Sequence, residues 1–234
     1  EELLDRPMEL NIWRAPTDND RNVRLEWERA HYHQAAARAY GVEVDEGSGC
    51  VTVRAEVAMV APSIQPVLRG ETAWTIWDDG EVDLRLAVRR AEGFPSLPRL
   101  GLRLFLPEAM RQVSYYGLGP LESYADKRRA SWHGEFADDV EAFHEDCIRP
   151  QENGSRADCE YVTVTGGGLG LTCVGRRPFS FNVSQYTQEE LARRRHSTEL
   201  RRCGSTVLCL DAAMAGIGSN SCGPALRPRY QVDS

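Results

Sequence analysis

The sequence predicts an all-β fold, a sandwich of short antiparallel strands with one or two short helices. Three observations predict it. Apolar and polar residues alternate at period two through several segments, turn signals rich in glycine separate those segments, and only two stretches carry helix signals. Asn22 to Tyr32 is the first helix candidate. Val42-Glu43-Val44 then joins through Gly47-Ser48-Gly49 to the clearest strand, Cys50 to Val57. There Val51, Val53, Ala55 and Val57 share one face, and Thr52, Arg54 and Glu56 the other. Val67 to Trp77 and Glu81 to Arg90 flank Asp78-Asp79-Gly80, whose Asp-Gly step suits a tight hairpin. Further strands are predicted at Leu100 to Leu106, Gln112 to Gly117, Tyr161 to Thr165, Leu169 to Val174, Phe179 to Val183 and Ser205 to Leu210. Gly166-Gly167-Gly168 reads as a hairpin turn, since no helix follows it to hold a phosphate. The second helix spans Thr187 to Arg195, with Thr187 as N-cap and Glu190 at capping-box spacing. No internal repeat or low-complexity linker divides the chain, which predicts a single domain over residues 1–234.

Composition narrows the class of function. A content of 41% hydrophobic and 27% charged residues over 234 positions is that of a folded chain, not a disordered one. No apolar run is long enough to cross a bilayer as a helix. A formal net charge of −7 is the opposite of the basic footprint that nucleic acids select, so neither membrane nor nucleic acid is an expected partner. Lys127 is the single lysine among 28 basic residues, as a GC-rich coding sequence favours. The seven cysteines are odd in number, widely spaced and free of C-x-x-C pairs, which predicts free thiols and a reducing, cytoplasmic compartment. The chain opens on Glu1 with no signal sequence, and is expected to begin inside a longer polypeptide.

Most candidate chemistry is weak. His31-Tyr32-His33 would place two imidazoles on one strand face, but no third ligand lies nearby. The acidic pairs Asp138-Asp139 and Glu145-Asp146 invite a glycosidase reading, which needs two carboxyls at roughly 5–10 Å. Adjacent strand residues point to opposite faces, and such pairs are ordinarily solvated surface. No G-x-S-x-G elbow supports a serine hydrolase. The stretch Asn11 to Asp20 is different, because it packs an aromatic ring, a guanidinium and an Asp-Asn-Asp run around Pro16. Such residues close local turns onto their own backbone, or present hydroxyl-binding groups to a sugar.

Trp13-Arg14-Ala15-Pro16-Thr17-Asp18-Asn19-Asp20 resembles the signature of the C-terminal domain, or small chain, of the large bacterial β-galactosidases of glycoside hydrolase family 2. Four later segments agree in order. Tyr116 to Asp126 resembles the family's G-x-G-P-x-E-x-Y-x-D block, and Pro150-Gln151-Glu152-Asn153-Gly154 its P-x-E-N-G turn. Phe181 to Leu191, with His196, resembles its strand, tyrosine and following helix. Leu210-Asp211 and Gly216 to Pro224 resemble its last glycine-rich loop. The resemblance covers about Asn11 to Pro224. In such proteins the domain continues past Tyr230-Gln231-Val232, so the chain is expected to be a piece cut at both ends.

The resemblance implies an antiparallel supersandwich related to galactose mutarotase. It implies partnership with a β/α-barrel catalytic domain or large chain, assembly into a homo-oligomer, and a galactoside such as lactose as substrate. The catalytic glutamates belong to that barrel, as do the magnesium and sodium ions. This chain is then expected to hold no catalytic residue and no cofactor, and to be inactive alone. Its contribution would be the pocket wall, from Asp18, Asn19 and Asp20 in one loop and Asn220, Ser221 and Cys222 in the other. Cys222 stands where the best-known members carry a tryptophan that stacks on the leaving group, so the aromatic platform is replaced by a small thiol. In related enzymes the segment after the D-N-D triplet is a mobile lid leading to a helix with a tryptophan. Here only Arg21 to Glu26 precede Trp27, a shorter connection that favours one fixed state. Trp13, Arg14, Glu122, Glu152 and Asn153 are expected in structural or interface roles, the charged ones as ion pairs and Asn153-Gly154 as a turn. Two rival readings are a stand-alone carbohydrate-binding or assembly module, and an aldose 1-epimerase using a carboxylate and a histidine. His133, His144 and His196 show no partner spacing for the latter.

Overall fold

Pairing of the alternating segments gives two antiparallel sheets and few short helices, the all-β class that the alternation predicts. The computed structural model describes residues 2–62 and 65–232. The strands are β1 (Arg6–Asn11), β2 (Ala36–Gly47), β3 (Cys50–Val60), β4 (Leu68–Trp77), β5 (Val82–Arg90), β6 (Arg99–Pro107), β7 (Gln112–Gly119), β8 (Trp132–Asp139), β9 (Arg156–Gly166), β10 (Leu169–Ser184) and β11 (Ser205–Met214). The helices are α1 (Val23–Arg29) and α2 (Gln188–Arg193), with several single 3₁₀ turns. The chain divides into two compact units. One comprises the chain up to Leu25 and from Ser96 onward, the other Glu26–Pro95.

The second unit is a meander of sequence neighbours, β2-β3-β4-β5. Its register puts Val44, Val53, Trp74 and Leu84 in one row, and Glu46, Val51, Ile76 and Val82 in the next row on the same face. The opposite face carries Glu43, Arg54 and Arg85, with Asp45, Thr52, Thr75 and Asp83. The sheet is therefore amphipathic, yet Val44 is 62% and Val82 51% exposed at its hairpin end. Trp27 of α1 and Tyr32 are buried, and the Tyr32 hydroxyl donates to the Pro95 carbonyl at 2.6 Å. His31-Tyr32-His33 is not a strand. Tyr32–Gln34 is a 3₁₀ turn entered through His31 at φ 54°, and the two imidazoles stack at 6.1 Å.

The first unit holds a sheet ordered β1-β6-β11-β10-β9-β7-β8, seven strands among the described residues. Its core follows the period-two pattern: Leu104 and Leu106 of β6, Val113 and Tyr115 of β7, Val162 and Val164 of β9, Phe181 and Val183 of β10 and Leu208 of β11. Burying each such side chain contributes about 1.5–3 kcal/mol. Phe143, on a 3₁₀ turn after β8, and Phe181 meet the Tyr115 ring edge-on at 6.0 and 5.0 Å.

Several boundaries differ from expectation. β10 unites the two strands predicted at 169–174 and 179–183, with its pairing to β9 shifting register between Val174 and Phe179. Pro178 lies inside that shift, where a residue without an N–H is tolerated. Gly166, Gly167 and Gly168 form the β9–β10 hairpin at φ 149°, 60° and 83°, and a Cβ on Gly166 would sit 1.9 Å from the Ala109 carbonyl oxygen. Both helices are shorter than predicted. Only half of the predicted capping box forms: Glu190 N–H donates to Thr187 Oγ1 at 3.2 Å, but the Glu190 carboxylate turns to Arg194 Nε at 2.7 Å and Arg201 N–H at 3.0 Å. Thr187→Ala is expected to cost about 1 kcal/mol, read as a lower unfolding midpoint.

Candidate functional site

In the larger sheet Asn11 of β1, Gly101 of β6, Asp211 of β11 and Ser180 of β10 lie in one row, with Arg156 of β9 opposite Phe181 beside it, so the ends of β1, β6 and β11 come level with the start of β9 and the end of β7. Four of the five motifs lie on the loops there, following β1, β7 and β11 and preceding β9, and the Phe181–Leu191 motif runs from the end of β10 into α2. Their polar side chains join in one network.

Its buried base is ionic. Arg14 is fully buried and grips Asp20 with two bonds, Nε to Oδ2 at 3.1 Å and Nη2 to Oδ1 at 2.8 Å. The same guanidinium donates to the carbonyls of Ala215 and Gly216, each at 3.0 Å. Asp20 Oδ2 also accepts Thr17 N–H at 2.9 Å, which closes the Thr17-Asp18-Asn19-Asp20 turn. Arg99, at the start of β6, likewise grips Asp211 through Nε at 2.9 Å and Nη2 at 2.5 Å. Its Nη1 reaches Glu152 at 3.3 Å. Burial works against both guanidinium charges, but Asp20 beside Arg14 and Asp211 beside Arg99 outweigh it, and both stay above the usual arginine value. Glu152 behaves otherwise. Its burial outweighs the pull of Arg99 and Arg14 and raises its carboxyl to about 7.

Above this base the remaining motif residues hold backbone. Glu122 accepts Gly154 N–H at 2.8 Å and pairs with Lys127. Asn153 accepts Glu145 N–H at 3.0 Å and donates to the Gln151 carbonyl at 2.8 Å. Gly154 follows at φ 76°, so Asn153-Gly154 does make a turn. Asn182 of β10 donates to Glu152 Oε1 at 3.4 Å and to the Asn153 carbonyl. Trp13 is half-buried, and its carbonyl accepts Gln188 Nε2 at 2.8 Å.

The two loops expected to form a wall are in direct contact. Asn19 Nδ2 donates to the Gly218 carbonyl at 2.8 Å, and its Oδ1 accepts Ser221 N–H at 3.2 Å and Ser221 Oγ at 2.6 Å. Arg21 donates to the Ser221 carbonyl at 3.1 Å. Asp18 is exposed, and its N–H donates to Gln151 Oε1 at 2.9 Å. Cys222 is exposed and Asn220 half-buried, on a turn closed by Cys222 and Gly223 N–H groups donating to the Ser219 carbonyl. Asp20, by contrast, is 4% exposed and committed to Arg14, so its carboxylate belongs to the buried ionic base and is not presented to solvent.

Sequence reasoning did not single out Arg99, Asp211, Asn182 or Asp126 as site residues. Asp126, Asn182 and Asp211 lay inside quoted motifs, and Arg99 outside them. The three histidines weighed for an epimerase are scattered: His133 on exposed β8 beside Tyr116, His144 half-buried against Tyr186 and His196 before a 3₁₀ turn. Burial lowers the His144 value despite Asp146 and Glu145. Among the described residues no three of His, Cys, Asp or Glu gather as a metal site. No step is assigned here to magnesium or sodium. Among the described residues no helix is long and apolar enough to cross a membrane.

Comparison with known proteins adds the family. A family model described as the β-galactosidase small chain matches residues 1–234. The β-galactosidase of Actinobacillus pleuropneumoniae is 40% identical over 230 residues, covering 98% of this chain and 22% of its own length. That of Staphylococcus xylosus is 37% identical over 96% of this chain and 22% of its length, and that of Kluyveromyces lactis 29% over 95% and 22%. The chain thus spans under a quarter of the relatives it matches.

Proposed function

This chain belongs to the β-galactosidase small-chain family, and from that premise we propose that it is the accessory domain of a retaining β-galactosidase. It docks beside a β/α-barrel that carries the catalytic glutamates and metals, within a cytoplasmic homo-oligomeric enzyme acting on galactosides such as lactose. Its work is to complete the pocket wall and exclude water. One observation carries this reading: Asn19 ties the Asp18-Asn19-Asp20 turn to Gly218 and Ser221, so two loops far apart in sequence form one fixed rim that bears Cys222 and Asn220. A wall that holds substrate must be set before substrate arrives, because ordering it afterwards subtracts from binding.

The test is galactoside hydrolysis by the full enzyme, by the enzyme lacking this chain, and by the chain alone. Activity in the first only, restored when the two parts are mixed, is the expected result. Hydrolysis by the chain alone, or full activity without it, would overturn the proposal. The thiol at the rim makes a second expectation. Cys222→Trp in the full enzyme should tighten inhibition by glucose about two- to tenfold, the worth of an aromatic platform. An unchanged inhibition constant would remove Cys222 from the acceptor side.

A further inference from the structure

We infer that Asp126 is a positioning residue of this enzyme, one that fixes the backbone from which Asn220 and Cys222 project toward the leaving-group side of the pocket. The inference rests on the proposed reading of that loop as a pocket rim. Its ground is a contact that joins a third loop to the rim. Both oxygens of the Asp126 carboxylate are used, Oδ1 accepting Ile217 N–H at 2.8 Å and Oδ2 accepting Gly218 N–H at 2.7 Å. Two successive backbone N–H groups turned toward one anion make a small nest, in which hydrogen bonds to a charged acceptor are stronger than neutral ones.

The surroundings show what depends on that seat. Gly216, Gly218 and Gly223 leave the loop backbone free to take many conformations unless it is held from outside. Arg14 holds the carbonyls of Ala215 and Gly216, and Asn19 holds Gly218 and Ser221. Between these two anchors, the N–H groups of Ile217 and Gly218 go to Asp126. Asp126 is itself placed by a tight turn in which Tyr124 and Lys127 exchange backbone hydrogen bonds at 3.0 and 3.1 Å, with the Tyr124 side chain buried. Gly216 leaves the room. A Cβ there would lie 2.6 Å from the Asp126 carboxyl carbon, so any side chain at 216 pushes the carboxylate off its seat.

In a retaining mechanism the aglycone takes part in the first step and has left before water attacks the glycosyl-enzyme. A displaced rim should therefore weaken steps that involve the leaving group or an added acceptor, and spare the common second step. A loss of folded enzyme would lower every substrate by one factor.

The experiment uses the full-length enzyme, with lactose and a set of aryl galactosides, and with glucose as competing acceptor. D126A should raise KM for lactose roughly three- to tenfold and shift partitioning of the intermediate toward water, while kcat for substrates limited by the second step holds. D126N should fall between, since one oxygen still accepts while its NH₂ group faces an N–H. G216A should reproduce D126A, and the double variant should be no worse than either, because both remove the same contact. If D126A does not fold, D126N and G216A carry the same comparison. A uniform factor across aglycones and acceptors, or no change, would overturn the inference. C222W and N220A separate it from the reading beneath. If neither alters any aglycone-dependent constant, the rim assignment itself fails. If they do and the Asp126 and Gly216 variants do not, only the role of Asp126 falls.

Discussion

Arg99→Met is expected to destabilise the larger sheet by about 3–5 kcal/mol, because it strands the buried Asp211 carboxylate without its guanidinium and takes one of the contacts of Glu152. Arg99 and Asp211 are almost wholly shielded from water, and Glu152 is 4% exposed. A pair of this kind adds little net stability over well-packed apolar residues, but removing one member leaves the full desolvation penalty of the other. The loss should appear as faster hydrogen exchange in β6 and β11, the strands from which Arg99 and Asp211 project, well before the hairpins of β2–β5 respond. Replacing Arg99, Asp211 and Glu152 together by apolar residues of similar volume should recover much of it. Unchanged exchange in R99M would mean that the ionic base is not what holds these two strands together.

A second large effect concerns pH. Two guanidinium groups, Arg14 and Arg99, face three carboxyls, Asp20, Asp211 and Glu152, so the cluster is neutral only when one carboxyl keeps its proton. Glu152 is the one held most loosely, with contacts of 3.3 and 3.4 Å, and burial raises it from the ordinary carboxylate value to about 7. Between pH 4.5 and 7 the folded chain then keeps a proton that the unfolded chain has released. Stability from this group is full below that window and falls as pH rises through it, by about 3 kcal/mol in all. Glu152→Gln should flatten the dependence of the unfolding midpoint on pH between 5 and 8. An identical slope in the variant would place the titration elsewhere.

How far the fold was legible depended on where each strand lies in its sheet. β3, β4 and β5 alternate cleanly and are separated by turn residues, and they were readable nearly to the residue. β1 and β8 were not predicted, and both are edge strands. An edge strand bonds on one side only, so it tolerates Pro7 in β1 and the Asp138-Asp139 ending of β8, and its sequence carries little strand signal. The motif loops were visible as dense Asx and glycine clusters. Their partners were not, because Asn19 meets Ser221 and Arg99 meets Asp211 only after β1, β6 and β11 align, and no spacing rule reaches across such separations. Asp126 was legible as the last residue of its motif, but its bonds to Ile217 and Gly218 N–H were not, because they cross some ninety residues of sequence.

The meander β2-β3-β4-β5 has a consequence for the order in which the chain is built. Each of its strands pairs with the next in sequence, so it can close hairpin by hairpin as it is synthesised, with short loops and fast steps. β1 precedes that whole segment but pairs with β6, which follows it, Asn11 meeting Gly101. β1 therefore waits, unpaired, until β6 is made. The Trp13–Asp20 motif waits longer still, because the Ala215 and Gly216 carbonyls that Arg14 binds follow β11, so the rim closes only after both sheets have their strands.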